Sequence, residues 1–256
     1  MEEGRSKLKI WRYVDFAKFV DMLATRSLYF ACTSQMSDPY EGWMPRSHIA
    51  ALAGMHEAYL KQLKDACDAA LVFKPGLDPA AFDGILEDAR RKFHLPTLLR
   101  EVNLKFGLSC WHINDDESEA MWRLYSSVGS GIAIESTDGK LKASLPTEGI
   151  VVDRVRYMNF ERDEIEKGHP HYGLFIKRTA FEHEKELRAT LLLPTPGEGA
   201  AVPCDLESLI VNIHIAPEAP PFYASAVQYV LDRSDLSTKP PVLRSQLLEQ
   251  PTVVSE

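Results

Sequence analysis

The run Glu184-Lys185-Glu186-Leu187-Arg188 carries the most informative chemistry in the sequence. In a β-strand, residues at i, i+2 and i+4 point to the same face, so Glu184, Glu186 and Arg188 are predicted to share one face. Two carboxylates and a guanidinium on one face form either a ladder of paired surface charges or a functional site. Surface ion pairs are common and contribute little stability. The sequence alone leaves both interpretations open.

Aromatic and basic residues near the N-terminus suit ligand contacts. Arg12 and Tyr13 stand at the predicted end of a first strand, and Tyr29 lies on the next one. A guanidinium binds phosphate oxygens well, and aromatic rings pack against other rings. Trp111 closes a later strand beside a polar turn, where it is predicted to line a pocket for a planar ring.

A second group of candidate residues is acidic. Asp38 and Glu41 stand in a turn with proline and glycine, and the run 114–119 is rich in Asp and Glu. Hard divalent cations prefer carboxylate oxygens, so these residues, with Lys177 and the two late glutamates, outline a metal-dependent nuclease site. The spacing argues against it, because the late motif ends in arginine where that class has lysine. Turn formation, and helix capping by Asp116, are the alternatives.

The elements that must position these residues follow from periodicity and breakers. Helices are predicted after a cap at Asp15, through much of 46–102, and at 116–126, 172–183 and 222–231. Strands are predicted at 8–13, 27–32, 106–111, 132–135, 150–157, 184–193 and 209–215. Because strands and helices do not alternate regularly, the pattern predicts an α+β fold. We expect a mixed, mostly antiparallel sheet with a helical insertion after the second strand, about 46–104, in one domain over 8–247 and a flexible tail at 248–256.

Composition excludes several classes of protein. The chain has 256 residues, of which 45% are hydrophobic and 26% charged, as in folded globular proteins. Its net charge of -8 argues against broad binding to nucleic acid. The sequence contains no run of about 18 apolar residues and does not start with a secretory signal, so a cytoplasmic protein without a membrane partner is predicted. The four cysteines are widely spaced, so no structural metal is expected.

Short motifs occur in a fixed order over about residues 10–247. They are Trp11-Arg12-Tyr13, Leu28-Tyr29-Phe30, Asp38-Pro39-Tyr40-Glu41-Gly42, Ser109-Cys110-Trp111, Glu119-Ala120-Met121-Trp122-x-x-Tyr125, Gly131-Ile132-Ala133-Ile134, Phe181-x-x-Glu184-x-Glu186-x-Arg188 and Val242-x-x-Ser245. Together they resemble the bacterial family called domain of unknown function 2971. That family often has tryptophan where Phe181 stands. The resemblance implies a bacterial toxin or phage-defence setting and no particular activity.

The same arrangement is similar to the ADP-ribosyltransferase superfamily. There, a basic or polar residue on the first strand, an aromatic or hydroxyl residue on the next and a late glutamate hold NAD. The glutamate stabilises the oxocarbenium-like ribose as nicotinamide leaves. The similarity implies Arg12 as the first-strand residue, Tyr29 or Ser109 as the middle one, and Glu184 or Glu186 as the glutamate. The S-T-S triplet of that superfamily is missing, which leaves the middle position open.

These expectations combine into one prediction with two alternatives. The chain is predicted to be an NAD-handling transferase, similar to ADP-ribosyltransferases, with Glu184 and Glu186 as catalytic residues. NAD would be its substrate, and a protein or nucleic-acid acceptor is left open. The first alternative is a non-enzymatic sensor or partner-binding module on the same fold, and the second is a metal-dependent nuclease. The predicted binding residues are Arg12, Tyr13, Tyr29, Asp38, Glu41, Ser109, Trp111 and Arg188.

Overall fold

A computed structural model describes residues 8–92, 94–126, 129–165 and 172–248. The strands are β1 (Lys9–Asp15), β2 (Ser27–Cys32), β3 (Phe106–Ile113), β4 (Gly131–Thr137), β5 (Ile150–Arg154), β6 (Arg156–Met158), β7 (Ile176–Arg178), β8 (Glu186–Leu192), β9 (Ala200–Pro203), β10 (Asn212–Ile215) and β11 (Val242–Arg244). The helices are α1 (Phe16–Thr25), α2 (Arg46–Phe73), α3 (Pro79–Lys92), α4 (Leu95–Asn103), α5 (Glu119–Tyr125), α6 (Asp138–Ser144), α7 (Leu206–Leu209) and α8 (Pro221–Arg233). Of the predicted tail, 249–256 lie outside the described residues.

Most of the strands join one mixed sheet. Its order is β11-β10-β4-β1-β3-β2-β9, and β8 pairs with both β3 and β5. The pairings in this sheet are antiparallel, except that β10 and β11 run parallel. Strands β6 and β7 form a separate parallel pair. The predicted α+β class with a mixed, mostly antiparallel sheet is therefore confirmed.

The sheet divides along one edge of β3. Strand β8 pairs with the other edge of β3 from Phe106 to His112. On the dividing edge, β1 pairs only near the end of β3, with Trp11 opposite His112, and β2 only near its start, with Ala31 opposite Leu108. Between those pairings, residues 109–111 of β3 face a gap where β1 and β2 separate. This gap positions the site.

The strand register assigns side chains to the two faces of the sheet, because directly opposed residues share a face. Ile10, Phe30, Trp111, Leu187 and Ala189 lie on one face, and all five belong to the hydrophobic core. Helices α1, α6, α7 and α8 contribute leucine, valine and aromatic side chains to the same core. Leu187 and Ala189 therefore pack inward, on the opposite face of β8 from Glu186 and Arg188.

Side-chain caps begin two helices beside the sheet. The carboxylate of Asp15 accepts a hydrogen bond of 2.8 Å from the Lys18 amide and caps α1, as predicted. The predicted cap at Asp116 is wrong, because Ser118 caps α5 by accepting from the Met121 amide. Helix α5 therefore begins at Glu119, later than expected.

Pairing between distant segments overrides several local patterns. The predicted helix at 172–183 is wrong, because short 3-10 turns there flank β7, which pairs with β6. The predicted strand at 150–157 is interrupted at Val155. Strand β8 begins at Glu186 rather than Glu184, because Lys185 has a positive φ of 41° that turns the backbone. The strand expected from residue 209 begins at Asn212, after α7.

The predicted helical insertion is confirmed as α2, α3 and α4. It buries little, since Cys67 and Ala89 are its only buried side chains among the described residues. Its two ends meet, because the Thr33 hydroxyl donates a hydrogen bond of 2.8 Å to the Asn103 carbonyl. None of the helices in the described ranges has the length and apolar character needed to cross a membrane.

Candidate functional site

A cavity of about 770 Å³ opens where β1 and β2 separate. That volume lies within the usual range for small-molecule sites, about 300–1,000 Å³. Nine of the ten predicted site residues line it, and the tenth, Ser109, accepts a hydrogen bond from the lining residue Arg12. Its chemically active lining comprises Arg12, Tyr13, Tyr29, Asp38, Glu41, Cys110, Trp111, His112, Tyr125, Lys177, Glu184, Glu186 and Arg188.

One end of the cavity is a cluster of five buried charges, here called the inner cluster: Glu41, Lys177, Glu184, Glu186 and Arg188. Arg188 is fully buried, and its Nε donates to Glu186 Oε2 at 2.7 Å. Its two terminal nitrogens donate to the two oxygens of Glu41, at 2.5 and 3.0 Å. Bidentate pairing of this kind fixes orientation as well as charge.

Lys177 joins the two late glutamates. Its ammonium donates to Glu184 and, at 2.8 Å, to Glu186 Oε1. Glu184 and Glu186 are 4% and 5% exposed, so the interpretation as a ladder of surface ion pairs is wrong. The sequence indicates Lys177 only for the nuclease alternative, because its local pattern predicts a helix where the structure has β7.

The geometry of Glu184 depends on neighbours from other elements. The Tyr125 hydroxyl at the end of α5 donates to Glu184 Oε1 at 2.5 Å. The ring of His112 on β3 approaches the Glu184 carbonyl, with Nδ1 2.6 Å away. Tyr125 is 44% exposed and stands at the rim of the cavity rather than in the core. Sequence alone gives no signal for the contact with Glu184.

The two glutamates differ in how readily they ionise. Burial raises the pKa of Glu184 to about 7, and a hydrogen bond with Glu186 acts in the same direction. Burial also disfavours ionisation of Glu186, but the Arg188 guanidinium outweighs it and holds the pKa of Glu186 well below its usual range. A pair of carboxyl groups with separated pKa values is a frequent basis for divided roles in catalysis.

Arg12 crosses the gap in the sheet. Its guanidinium donates to the Ser109 hydroxyl and, at 3.0 Å, to the Tyr29 carbonyl, and it lies over the Trp111 ring. No carboxylate of the described residues forms an ion pair with Arg12. The register places Arg12, Ser109 and Trp111 on the opposite face from Glu186. The predicted residues therefore meet through the gap rather than on one face.

The remaining predicted residues stand around the rim and the acidic wall. The Tyr29 hydroxyl donates to Gln35 at 3.2 Å, and the Tyr13 hydroxyl accepts from the Ser118 amide. Asp38 is buried, and its Oδ1 accepts from Arg178 at 2.6 Å. Its Oδ2 has no hydrogen-bond partner within the described ranges.

The acidic run 114–119 lies outside the cavity. Glu117 Oε2 accepts from the Trp122 indole nitrogen at 3.0 Å, and Glu119 pairs with Arg123 on the surface of α5. Glu117 and Glu119 therefore serve contacts with α5, and the cap within this run is Ser118 rather than the predicted Asp116. Among the described residues, no three His, Cys, Asp or Glu side chains are grouped so that they could hold a metal ion.

A second set of polar side chains, here called the outer cluster, consists of Lys9, Glu135, Asn212 and His214. Glu135 Oε2 accepts from Asn212 at 2.9 Å and lies 2.9 Å from His214 Nε2, while Lys9 pairs with Oε1 at 3.3 Å. Glu135 on β4 is directly opposite Trp11 on β1, so the two side chains lie on the same face of the sheet. None of the outer cluster lines the cavity.

Comparisons with protein-family models, curated proteins and solved structures gave no match to this chain. The resemblances to domain of unknown function 2971 and to ADP-ribosyltransferases therefore stay predictions.

Proposed function

We propose that this chain is an NAD-handling enzyme of the ADP-ribosyltransferase type, with Glu184 as its catalytic carboxylate. The observation that carries the proposal is the pair Glu184 and Glu186, whose pKa values are shifted in opposite directions at one end of a cavity large enough for a nucleotide. Because the two carboxyl groups ionise at different pH, each can have a separate role in catalysis.

The proposed reaction breaks the bond between the ribose C1 and the nicotinamide nitrogen. The bonding electron pair stays on that nitrogen, so the pyridinium ring leaves as neutral nicotinamide and C1 gains positive charge. A water molecule or an acceptor hydroxyl then adds to C1 and loses a proton. Ionised Glu184 stabilises the positive charge and accepts that proton, because its pKa of about 7 suits a base at neutral pH.

The neighbouring residues have supporting roles in this proposal. Both oxygens of Glu186 are occupied by Lys177 and Arg188, so Glu186 is a positioning residue that holds the Lys177 ammonium against Glu184. Arg12, which pairs with no carboxylate of the described residues, suits an anionic phosphate of the substrate. The Trp111 and Tyr13 rings provide apolar surface along the cavity.

One observation favours a non-enzymatic binding module as the second candidate. Arg188 and Lys177 satisfy most of the carboxylate oxygens in the inner cluster, so the cluster is stable without a substrate. A binding module with this cluster would take up a nucleotide and leave it intact.

Nicotinamide release from NAD, measured together with thermal unfolding, tests the proposal. NAD is expected to raise the thermal midpoint with dose, because it binds the native state. Glu184→Gln keeps the shape but removes the charge, and should lower release about 100- to 1000-fold. Its midpoint should not fall below that of wild type, since glutamine imitates the protonated carboxyl. Glu135→Gln in the outer cluster is the matched control and should keep full release.

Each alternative gives a different result. Full release by Glu184→Gln would exclude a catalytic role for that residue. A dose-dependent midpoint shift without any release by wild type would favour the binding module. Millimolar NAD without an effect on the midpoint would reject NAD as the ligand.

A further inference from the structure

At the inner end of the cavity, carboxylates outnumber by one the basic side chains that pair with them. Four acidic groups meet three basic ones there: Asp38, Glu41, Glu184 and Glu186 against Lys177, Arg178 and Arg188. Six of the seven are buried, and Arg178 is partly buried. An unbalanced charge in such a place is costly, so it takes up a proton or an ion of opposite sign.

The excess negative charge falls on Glu184. Arg188 binds Glu41 and Glu186, and Arg178 binds Asp38. Lys177 is shared between Glu184 and Glu186, so neither has it alone. The other oxygen of Glu184 accepts from the neutral hydroxyl of Tyr125, a side chain that is 44% exposed, and forms no ion pair within the described ranges.

The groups that surround Glu184 stay in one protonation state near neutral pH. Burial raises the pKa of Tyr125, Tyr157 and Cys110 above their ordinary values and lowers that of His112, so all four remain neutral. Burial acts against the charge on Lys177, but Glu186 and Glu184 outweigh it and raise its pKa. Glu186 and Arg188 remain ionised. Glu41 lies beside these groups and accepts from Arg188 with both of its oxygens.

We propose that this end of the cavity is a subsite for a cationic group of the ligand, which takes the place of the proton on Glu184. The inference rests on the proposed function and deepens it, because the pyridinium ring of oxidised NAD carries a positive charge and the dihydropyridine ring of NADH carries none. The Tyr125 ring adds an aromatic surface beside the carboxylate, and such surfaces attract organic cations. The unpartnered Asp38 Oδ2 adds further negative potential to the same cavity.

Isothermal calorimetry with NAD and NADH tests the subsite, because the two dinucleotides differ in the charge of one ring. Titrations in buffers of different ionisation enthalpy also count the protons released. NAD should bind about tenfold or more tightly than NADH at about pH 8.5, where Glu184 is ionised. Its binding should release about one proton at about pH 6 and almost none at about pH 8.5. Its affinity should rise up to about tenfold from pH 6 to 7.

Two variants separate this effect from general changes in the protein. Glu184→Gln cannot ionise, so it should lose both the preference for NAD and the proton release. Glu135→Gln removes a carboxylate from the same face of the sheet but outside the cavity, and should keep both.

The outcomes distinguish the subsite from the proposed function. Equal affinities for NAD and NADH would overturn the subsite and leave NAD binding intact. A preference for NAD without proton release would also overturn it, since the cation would not replace the proton. If neither dinucleotide bound, the proposed function would fail. The titrations would then be repeated with 1-methylnicotinamide, which is cationic, and with nicotinamide, which is neutral. Binding of the cationic compound alone would then support the subsite, and equal or absent binding would overturn it.

Discussion

The inner and outer clusters lie on the same face of the sheet, and both contain carboxylates paired with basic side chains. Glu135 in the outer cluster joins β1, β4 and β10 through Lys9, Asn212 and His214, away from the cavity. The inner cluster joins β7 and β8 to the turn after β2, lines the cavity and holds a surplus carboxylate. Pairing of carboxylates is common to both, and the inner cluster is the more deeply buried of the two. Contact with a cavity and an unbalanced charge are what distinguish a candidate site from a structural connection.

Aromatic side chains separate the two clusters. The Trp11 ring packs edge-on against His214, with centroids 4.9 Å apart. The Tyr13 ring packs against His112 on the inner side and against Trp122, at 6.3 and 5.0 Å. Substitutions at separate sites without shared partners usually have additive effects. Each cluster therefore serves as a control for the other.

The largest expected effect is on stability, from Arg188→Met. The variant leaves Glu41 and Glu186 buried without their guanidinium, and should lose about 3–5 kcal/mol of unfolding free energy. Lys9→Met in the outer cluster removes a partly exposed ion pair and should cost at most about 1 kcal/mol. Urea denaturation of both variants measures the difference. Similar losses of unfolding free energy in the two variants would show that the inner cluster contributes no more to stability than the outer one.

A smaller effect on stability is expected from Glu135→Gln. The uncharged amide weakens the hydrogen bonds with Asn212 and His214, which should cost about 1–2 kcal/mol. The affinity for NAD should stay at the wild-type value because Glu135 does not line the cavity. Thermal unfolding with and without NAD measures both quantities. A weakened response to NAD would mean that the clusters are coupled.

The pH dependence of stability should differ in sign between Glu184 and Glu135. The pKa of Glu184 is raised from 4.5 to about 7 in the folded state. Between these values the unfolded chain is ionised while folded Glu184 keeps its proton, so wild type loses stability as pH rises through that interval. Burial disfavours ionised Glu135, but Asn212 and His214 outweigh it and lower its pKa below 4.5. Its stabilising contribution is present above pH 4.5 and is lost as pH falls through the folded-state pKa.

Urea denaturation of wild type, Glu184→Gln and Glu135→Gln across this pH range measures these contributions. Relative to wild type, the unfolding free energy of Glu184→Gln should rise from pH 4.5 to 7. Glu135→Gln should be less stable than wild type above pH 4.5, and this difference should disappear as pH falls below 4.5. Parallel profiles for the two variants would refute the assigned ionisation of Glu184.

The smallest expected effect is that of a chelator. Lys177 and Arg188 already neutralise carboxylates of the inner cluster, so EDTA should leave NAD binding and nicotinamide release unchanged. Loss of activity that magnesium or manganese restores would instead favour the metal-dependent nuclease.

Local signals in the sequence predicted much of the fold. The strand at 27–32, the cap at Asp15 and the insertion follow from periodicity and from residue types within a few positions. The helix expected at 172–183 failed because β7 is defined by its pairing with β6, and a local pattern contains no information on such a partner.

The candidate site was predictable only in part, for the same reason. The alternation in Glu184, Glu186 and Arg188 singled out the motif, but its partners Lys177, Glu41 and Tyr125 come from three other elements. The division of the sheet at β3 also depends on long-range register. It places Arg12 on the opposite face from Glu186, and spacing along the chain cannot indicate that.

The chain leaves the sheet after β2 and returns to it before β3 at almost the same point, where Thr33 binds the Asn103 carbonyl. The entropy of closing such an excursion grows only with the logarithm of its length, so each doubling costs about 0.6 kcal/mol. Evolution can therefore lengthen, shorten or replace α2, α3 and α4 while the cavity walls keep their spacing. Homologous proteins should differ in length mainly between β2 and β3, and a fluorescent reporter domain should be tolerated there more readily than in any turn of the sheet.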